Sequence, residues 1–287
     1  MANEVVKYNN EMNKVRFKGW KSRELSVFYS ICSKMRDKGI DEVNLSFDEL
    51  IELANLEGSN LTLDEQATLF DSIYDKMLSL SFGDDNGDVR FRFNLFSDFT
   101  RDKSLKSVKI SINKKYESIL NNLANNFTRF ELLEFNEISG EYPKLLYRQL
   151  KQWKTTGRWE VQIDEFRKLF DVPEYYRMGN IDQKVLNPSI KELQKIKDFE
   201  NLKVTKIKKG RKIDRLVFEF NEWVQEVVVN PKPYHKTKKK VIDNRPVIKR
   251  QPKEPSTPET EEESLEREKK TKESMTELER KMKETWI

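Results

Sequence analysis

The chain has 287 residues, a formal net charge of +5 and 36% hydrophobic residues, which is enough for two ordinary domains with a highly charged surface. Its single cysteine excludes a disulfide framework and fits a reducing cytosol, so we expect a cytoplasmic protein. The first residues lack a signal-peptide core and no apolar run approaches membrane length, which predicts no membrane contact.

Residues 1–22 are polar, and we expect them to form a loose N-terminal arm. Basic residues surround Trp20. Two interpretations stay open: the arm touches phosphate or a partner, or it packs this one tryptophan against the first domain.

From residue 24 the pattern predicts helix, strand, helix, helix and hairpin. Ser46, followed by Glu49, forms a capping box that begins the second helix. The hairpin is predicted to turn at 83–87 and to return through 89–95. Segment 105–135 is interpreted as a connection, with a strand at Ser107–Ile112, a helix near 115–123 and an apolar run at 130–135.

The same order of elements recurs over 142–220. LSFDELIELANL (45–56) aligns with VQIDEFRKLFDV (161–172), and VFYSICSKM (27–35) aligns with LLYRQLKQW (145–153). We predict two divergent copies of one unit. The alternative is a chance similarity between two small α+β units.

One helix of the second copy has a polar face of amide and basic side chains. Lysine, asparagine and glutamine are the residues that pair with base edges in the DNA major groove. Leu186, Ile190, Leu193 and Ile196 are predicted to face the core, and Pro188 predicts a kink or restart. The alternative is a merely solvated face. The predicted DNA-contacting residues are Arg177, Asn180, Gln183, Lys184, Asn187 and Lys191.

Two alternating runs over 203–220 flank a turn at Lys209 and Gly210 and predict a β-hairpin. Helix, strand, helix, helix and hairpin is the order of a winged helix, whose basic wing lies near phosphates. An ordinary exposed hairpin is the alternative. The predicted wing contacts are Lys206, Lys208, Lys209, Arg211 and Lys212.

The two copies differ in charge. The third helix of the first copy is acidic, and so is the predicted turn at 83–87 with its flanking Asp88. Since DNA repels an acidic face, we expect the second copy to contact bases. The first copy is then expected to bind protein or to touch phosphate through another surface.

The fold class is therefore α+β, with two tandem winged-helix domains and a disordered charged C-terminal tail. The predicted ranges are an arm at 1–22, a first domain at 23–135, a second domain at 136–230 and a tail at 231–287. Within the tail, 264–287 has a thin apolar stripe typical of a helix that frays in water.

The sequence predicts neither an enzyme nor a catalytic, metal or cofactor site. It has no P-loop motif, and its one histidine, His235, cannot supply a metal cluster or a histidine-activated nucleophile. Tyr175 and Tyr176 are candidates for a nicking nucleophile. Because no base or metal site is evident, we favour the interpretation that these two tyrosines pack the turn and contact phosphate.

Several segments in this order resemble the initiator replication proteins of iteron-containing, theta-replicating plasmids, in particular the RepB-type initiators of Gram-positive plasmids. The segments are YPKLLY (142–147), WEV (159–161), FRKLF (166–170), Tyr175, KVLNPSIKEL (184–193), KKGRK (208–212) and Phe218. The resemblance extends over about 5–220 and leaves out the tail.

The resemblance implies two winged-helix domains, of which the second binds direct repeats (iterons) at the origin through the helix at 181–196. It implies that the first domain supports dimerisation and backbone contact. Monomers would open the origin with a recruited host helicase and initiator, and dimers would repress their own promoter at an inverted repeat, which controls plasmid copy number. The alternatives are a transcriptional repressor without a replication role and, less favoured, a tyrosine-dependent nicking enzyme.

Overall fold

The structure, a computed structural model, describes residues 4–80 and 95–221, which lie in one compact unit. The strands are β1 (Val5–Asn9), β2 (Val43–Ser46), β3 (Phe96–Asp102), β4 (Ser107–Ile112), β5 (Phe127–Glu131), β6 (Arg158–Gln162), β7 (Lys203–Lys209) and β8 (Lys212–Glu219). The helices are α1 (Ser22–Met35), α2 (Phe47–Leu53), α3 (Leu63–Ser79), α4 (Leu132–Glu137), α5 (Glu141–Gln152), α6 (Ile163–Leu169), α7 (Met178–Ile181) and α8 (Asn187–Leu193). Short 3₁₀ turns lie at Asn10–Lys14, Glu57–Ser59, Lys114–Ile119 and Lys197–Phe199, and a π turn lies at Asp182–Leu186.

Two three-stranded sheets have the same topology. The first has the order β2-β4-β3 and the second the order β6-β8-β7, all antiparallel. In each, a single strand pairs with the second strand of a later hairpin, and helices intervene between them. This is the winged-helix arrangement, and it confirms the predicted α+β fold with two tandem copies.

The hairpin of the first domain differs from the prediction. The predicted turn at 83–87 lies outside the described residues, and in the described part the hairpin is β3 and β4, joined by residues 103–106. The interpretation of Ser107–Ile112 as part of a connection is wrong. β4 pairs with β2 on one side and β3 on the other, and Val108, Ile110 and Ile112 are buried, so it is the central strand of the sheet.

The expectation of a loose arm over 1–22 is also wrong for the described residues from Glu4 onward. β1 pairs antiparallel with β5, with Val5 opposite Glu131. Six apolar side chains of this segment are buried in the core: Val6, Tyr8, Met12, Val15, Phe17 and Trp20. The interpretation in which Trp20 packs on the first domain agrees with the structure.

Local sequence signals account for several helix starts. The Ser46 hydroxyl accepts from the Glu49 N–H at 3.1 Å, which is one half of the predicted capping box. The other half is not formed, since the Glu49 carboxylate pairs with Lys34 at 3.1 Å. A full capping box that the sequence analysis overlooked begins α3, where Thr62 and Glu65 each bond the other's backbone N–H. The predicted helix near 115–123 is only the 3₁₀ turn Lys114–Ile119.

Helix α5 connects the two domains. It packs against α1 and β5 of the first domain and against α8 and β6 of the second. Its Arg148 is 1% exposed and donates to the backbone carbonyls of Met12, Asn13 and Val15 at 3.0, 3.3 and 2.7 Å. The guanidinium group therefore fastens the N-terminal segment to α5, and Gln149 Nε2 adds a further bond to the Asn13 carbonyl at 2.7 Å.

A second cation of α5, Lys144, is also 1% exposed. Its Nζ donates to Ser26 Oγ at 2.7 Å and to the carbonyls of Phe135 and Asn136 at 3.0 and 3.4 Å. Because the ammonium group is buried among neutral acceptors, desolvation lowers the pKa of Lys144 to about 7.

The single cysteine, Cys32, is fully buried in α1, and burial raises the pKa of its thiol. Across 4–80 and 95–221, no helix has the length and apolar character needed to cross a membrane. The predicted tail and its C-terminal helix lie outside the described residues.

Candidate nucleic-acid interface

Residues 178–193 form one continuous helix made of α7, the π turn and α8, which we call the bulged helix. Arg177 precedes it as the N-cap, and Asn180 Oδ1 accepts from the Arg177 N–H at 3.1 Å. This bond satisfies a backbone donor that a helix start leaves unpaired. The amide N–H₂ of Asn180 remains the end of this side chain available for a further contact.

The π turn is explained by Pro188. Proline has no N–H and its ring collides with the carbonyl four residues back in a regular helix. In the bulged helix the Asn187 N–H donates to Asp182 O, five residues back, which widens the turn just before the proline. The predicted kink at Pro188 is therefore observed as a π turn inside an unbroken helix.

The wide turn shifts the buried face of the helix. Ile181 is buried before it, Val185 and Leu186 are buried within it, and Ser189 and Leu193 are buried after it. Ile190 and Ile196, predicted to face the core, are only partly buried against it. The four residues predicted to face the core therefore all contact it, and the buried Ser189, which the regular 3.6-residue period did not predict, lies with them.

The opposite face of the bulged helix is polar and open to solvent. Gln183, Lys184, Asn187 and Lys191 are exposed, and Asn180 is half-buried. Arg177 is exposed at the start of the helix. All six predicted helix residues thus lie at or beside one accessible surface.

Lys184 packs against an aromatic ring that the sequence analysis did not connect with it. Its Nζ lies 5.0 Å from the centre of the Tyr176 ring. Tyr176 in turn contacts the ring of Tyr175 edge-on, at 5.0 Å between centroids, and Tyr175 is 80% exposed. A cation–π contact restricts where the ammonium group points. Spacing alone gave no sign of this contact, since a turn separates the two residues.

The wing is the hairpin of β7 and β8. Lys209 pairs with Lys212, which leaves Gly210 and Arg211 as a two-residue turn, and Gly210 has a φ of +64°. Such a turn favours glycine because only glycine takes this conformation without strain. Lys208, Lys209, Arg211 and Lys212 are all exposed at the tip.

Lys206, predicted with the tip residues, lies in a different environment. Its Nζ is 2.6 Å from an Asp182 carboxylate oxygen on the π turn, and its side chain is 32% exposed. It therefore ties the wing to the bulged helix, and its charge is already balanced. Farther down the same sheet, Arg215 pairs with Glu160.

The corresponding helix of the first domain, α3, is acidic, and its acids are partly compensated. Asp71 pairs with Arg101 at 2.6 Å, and Asp64 pairs with Lys103 at the tip of the β3–β4 hairpin. The predicted acidic turn at 83–87 lies outside the described residues. The charge contrast between the two domains holds for α3 and the bulged helix.

Two family models match the chain in sequence. The first is described as initiator replication protein, WH1, and matches residues 5–151; the second is described as initiator Rep protein, WH2, and matches 162–220. The chain belongs to the initiator replication protein family. The second model covers both the bulged helix and the wing.

A relative agrees with this family, and a solved structure shares the fold. The chain is 32% identical over 222 residues to a probable replication protein Rep of Bifidobacterium longum (strain NCC 2705), covering 77% of this chain and 73% of that protein. It is similar in fold to the Pi initiator protein, solved in complex with iteron DNA, with a TM-score of 0.60 and 16% identity, over 77% of this chain and 98% of the other.

Proposed function

We propose that this initiator-family protein starts plasmid replication by binding direct repeats in double-stranded DNA at an origin. The observation that carries the proposal is the second domain's combination of an exposed amide and ammonium face on the bulged helix with a wing that has a basic tip and is tied to that helix by the Lys206–Asp182 pair. That the Pi initiator protein was solved with iteron DNA gives further support.

In this proposal the bulged helix contacts base edges in the major groove. Asn180, Gln183 and Asn187 carry amides suited to adenine, and Lys184 is suited to guanine. Arg177 and Lys191, at the two ends of the same face, contact phosphates. Specificity then depends on the middle of the helix, and orientation depends on its ends.

The wing tip contributes affinity that does not depend on sequence. Lys208, Lys209, Arg211 and Lys212 lie exposed within one turn of the hairpin. Each phosphate that they neutralise releases counterions, so binding weakens as salt rises.

The first domain is proposed to hold two copies together in a dimer and to touch the DNA backbone. The acidic α3 argues against base contacts by that domain.

We further propose that monomers open the origin and recruit the host helicase and initiator. Dimers repress the protein's own promoter at an inverted repeat.

We propose a binding protein rather than an enzyme, with no catalytic residue, metal or cofactor. Membership of the initiator family supports this. Incubating supercoiled plasmid with the protein and a divalent metal tests it: nicked or covalently linked DNA would assign a strand-cutting role to a tyrosine such as Tyr175.

The test of the main proposal is a footprint of the purified protein on the DNA upstream of its gene. We expect regular protection of tandem repeats spaced by roughly two helical turns. Protection of a single inverted repeat, with no tandem repeats protected, would instead make the protein a transcriptional repressor. Absence of any protected site would overturn both roles.

A further inference from the structure

The turn that connects α6 to the bulged helix fixes where the bulged helix begins. It consists of residues 170–176 and ends immediately before Arg177, the N-cap of that helix; we call it the connecting turn. In helix-turn-helix units, such a turn sets the position of the second helix relative to the first. A residue that fixes the connecting turn therefore influences every side chain proposed to contact bases.

Arg167 of α6 is bonded to both ends of the connecting turn. Its backbone carbonyl accepts from the Val172 N–H at 2.9 Å, and the Val172 side chain is buried. Its guanidinium Nη2 donates to the Tyr176 carbonyl at 2.5 Å. Because the donor is charged, this second bond is of the stronger kind. One residue of the first helix thus holds the turn near its start and at its last residue.

The Arg167 guanidinium is half-buried and is directed at a backbone oxygen rather than at a carboxylate. Within 4–80 and 95–221 it forms no ion pair, whereas Lys206 pairs with Asp182 and Arg215 pairs with Glu160. Its contact with the rest of the second domain is therefore structural and local to the connecting turn.

Tyr176 transmits this restraint to a side chain of the bulged helix. Its carbonyl is held by Arg167, and its ring packs partly buried against the core. The Lys184 Nζ lies 5.0 Å from the centre of that ring. Fixing the backbone of Tyr176 fixes the ring, and the ring restricts the direction of the ammonium group.

We propose that Arg167 is a positioning residue for base recognition, which acts through Tyr176 on the ammonium group of Lys184. The proposal rests on the proposed function, in which Lys184 contacts a guanine, and it adds a residue from outside the polar face of the bulged helix. A lysine side chain that is free in solution loses conformational freedom when it binds. A lysine that is already held in direction loses less, so it discriminates better between the correct base pair and a wrong one.

The first experiment locates the base pair that depends on Lys184. The affinity of the whole chain is measured for the footprinted repeat and for duplexes that each carry one changed base pair. The Lys184-dependent pair is the one at which wild type discriminates and Lys184→Ala does not. Pairs that depend on Gln183 or Asn187 are found in the same way with alanine variants and serve as internal controls.

Three variants then test Arg167 on these duplexes. Arg167→Met removes the guanidinium but keeps a long side chain, and Arg167→Lys keeps the charge and one donor for the Tyr176 carbonyl. Lys168→Met is the control, since it removes the same charge from the exposed neighbour on α6. We expect Arg167→Met to lose discrimination at the Lys184-dependent pair by about two- to fivefold, the worth of the cation–π contact.

Discrimination at the pairs that depend on Gln183 and Asn187 should stay at the wild-type level in Arg167→Met. Arg167→Lys should recover part of the loss, and Lys168→Met should show none. If Arg167→Met weakens all duplexes alike and reduces the salt slope by about 0.9, Arg167 contacts a phosphate and the inference is wrong, while the proposed function stands. Equal loss at every pair with an unchanged slope also overturns it. If wild type binds the repeat and an unrelated duplex equally, the proposed function fails as well.

A second experiment tests the route through the ring. In a protein that already carries Tyr176→Leu, Arg167→Met should cause no further loss at the Lys184-dependent pair, and an undiminished loss there would overturn the proposal. Urea unfolding shows whether each variant is folded under the binding conditions. If Arg167→Met is not, Arg167→Gln takes its place in both experiments, because its shorter side chain ends before the Tyr176 carbonyl.

Discussion

At the scale of single residues, the orientation and the charge of a basic side chain depend on its neighbours as much as on its own chemistry. The sequence predicted Lys184 on the polar face, but only the structure shows its ammonium against Tyr176. Lys144 shows the opposite case, a cation removed from water altogether and bonded to neutral oxygens. Neither environment could be predicted from helical period, because each partner lies on a different element.

We expect Tyr176→Leu to weaken binding to the footprinted repeat by about two- to fivefold, since a surface cation–π contact is worth about 0.5–1 kcal/mol. Lys184→Ala should cost roughly 1–3 kcal/mol if the lysine contacts a base. Adding Tyr176→Leu to Lys184→Ala should then change nothing further. Tyr176→Phe is the control and should bind like wild type. If Tyr176→Leu weakened binding just as much in a protein that already carries Lys184→Ala, the ring would act by a route that does not involve the lysine.

The lowered pKa of Lys144 predicts that the free energy of unfolding depends on pH. Its folded pKa of about 7 is below the ordinary value of 10.5, so between these values the unfolded chain holds a proton that the folded chain has lost. The free energy of unfolding should therefore rise with pH across this window, by up to about 1.4 kcal/mol per unit, and should show no such slope well below pH 7. Urea unfolding of wild type and Lys144→Met at several pH values measures the difference. Parallel curves for the two proteins would contradict the prediction.

At the scale of elements, the wing is linked to the bulged helix by the ion pair between Lys206 and Asp182. Apolar periodicity predicted both elements, and Pro188 predicted where the helix would depart from regularity. The prediction that β4 belongs to a connection between the domains was wrong because the position of a strand in a sheet depends on which strands pair with it. The alternating pattern of β4 is equally compatible with a connection and with the centre of a sheet.

We expect Lys206→Met and Lys209→Met to affect DNA binding differently, although each removes one positive charge. Lys209 is exposed at the wing tip, and its loss should reduce the salt slope by about 0.9. Lys206 is already paired, so its loss should change the slope by much less. Salt titrations of both variants on one duplex decide the matter, and equal slope changes would place Lys206 among the phosphate contacts.

At the scale of the whole molecule, α5 and the N-terminal segment make the described residues one structure. The pairing of β1 with β5 joins residues more than a hundred positions apart, from Val5 to Glu131. Local patterns carry no information on such a pairing, and the apolar residues of 4–21 follow no single period. The sequence therefore predicted a loose arm where the structure has a buried segment fixed by Arg148.

We expect Arg148→Met to destabilise the entire described region. It removes three charge-assisted hydrogen bonds, each worth about 1.5–3 kcal/mol. The Met12 and Asn13 carbonyls keep the Val15 N–H and the Gln149 amide as donors, whereas the Val15 carbonyl loses the donor it has among the described residues. Urea unfolding should show a loss of roughly 3 kcal/mol or more, and hydrogen exchange should show reduced protection in β1 and α5 together. Lys38→Met, an exposed control, should stay within about 0.5 kcal/mol of wild type.

Because the single cysteine is buried in α1, the folded protein should not react with thiol reagents. Cys32 has no exposed surface and burial raises the pKa of its thiol, so alkylation requires opening of the first domain. A second cysteine placed at the wing tip in place of Arg211 would accordingly take a dye or a cross-linker alone, with no need to remove the natural one. The rate at which Cys32 itself becomes labelled then reports, in any variant, how often the core opens.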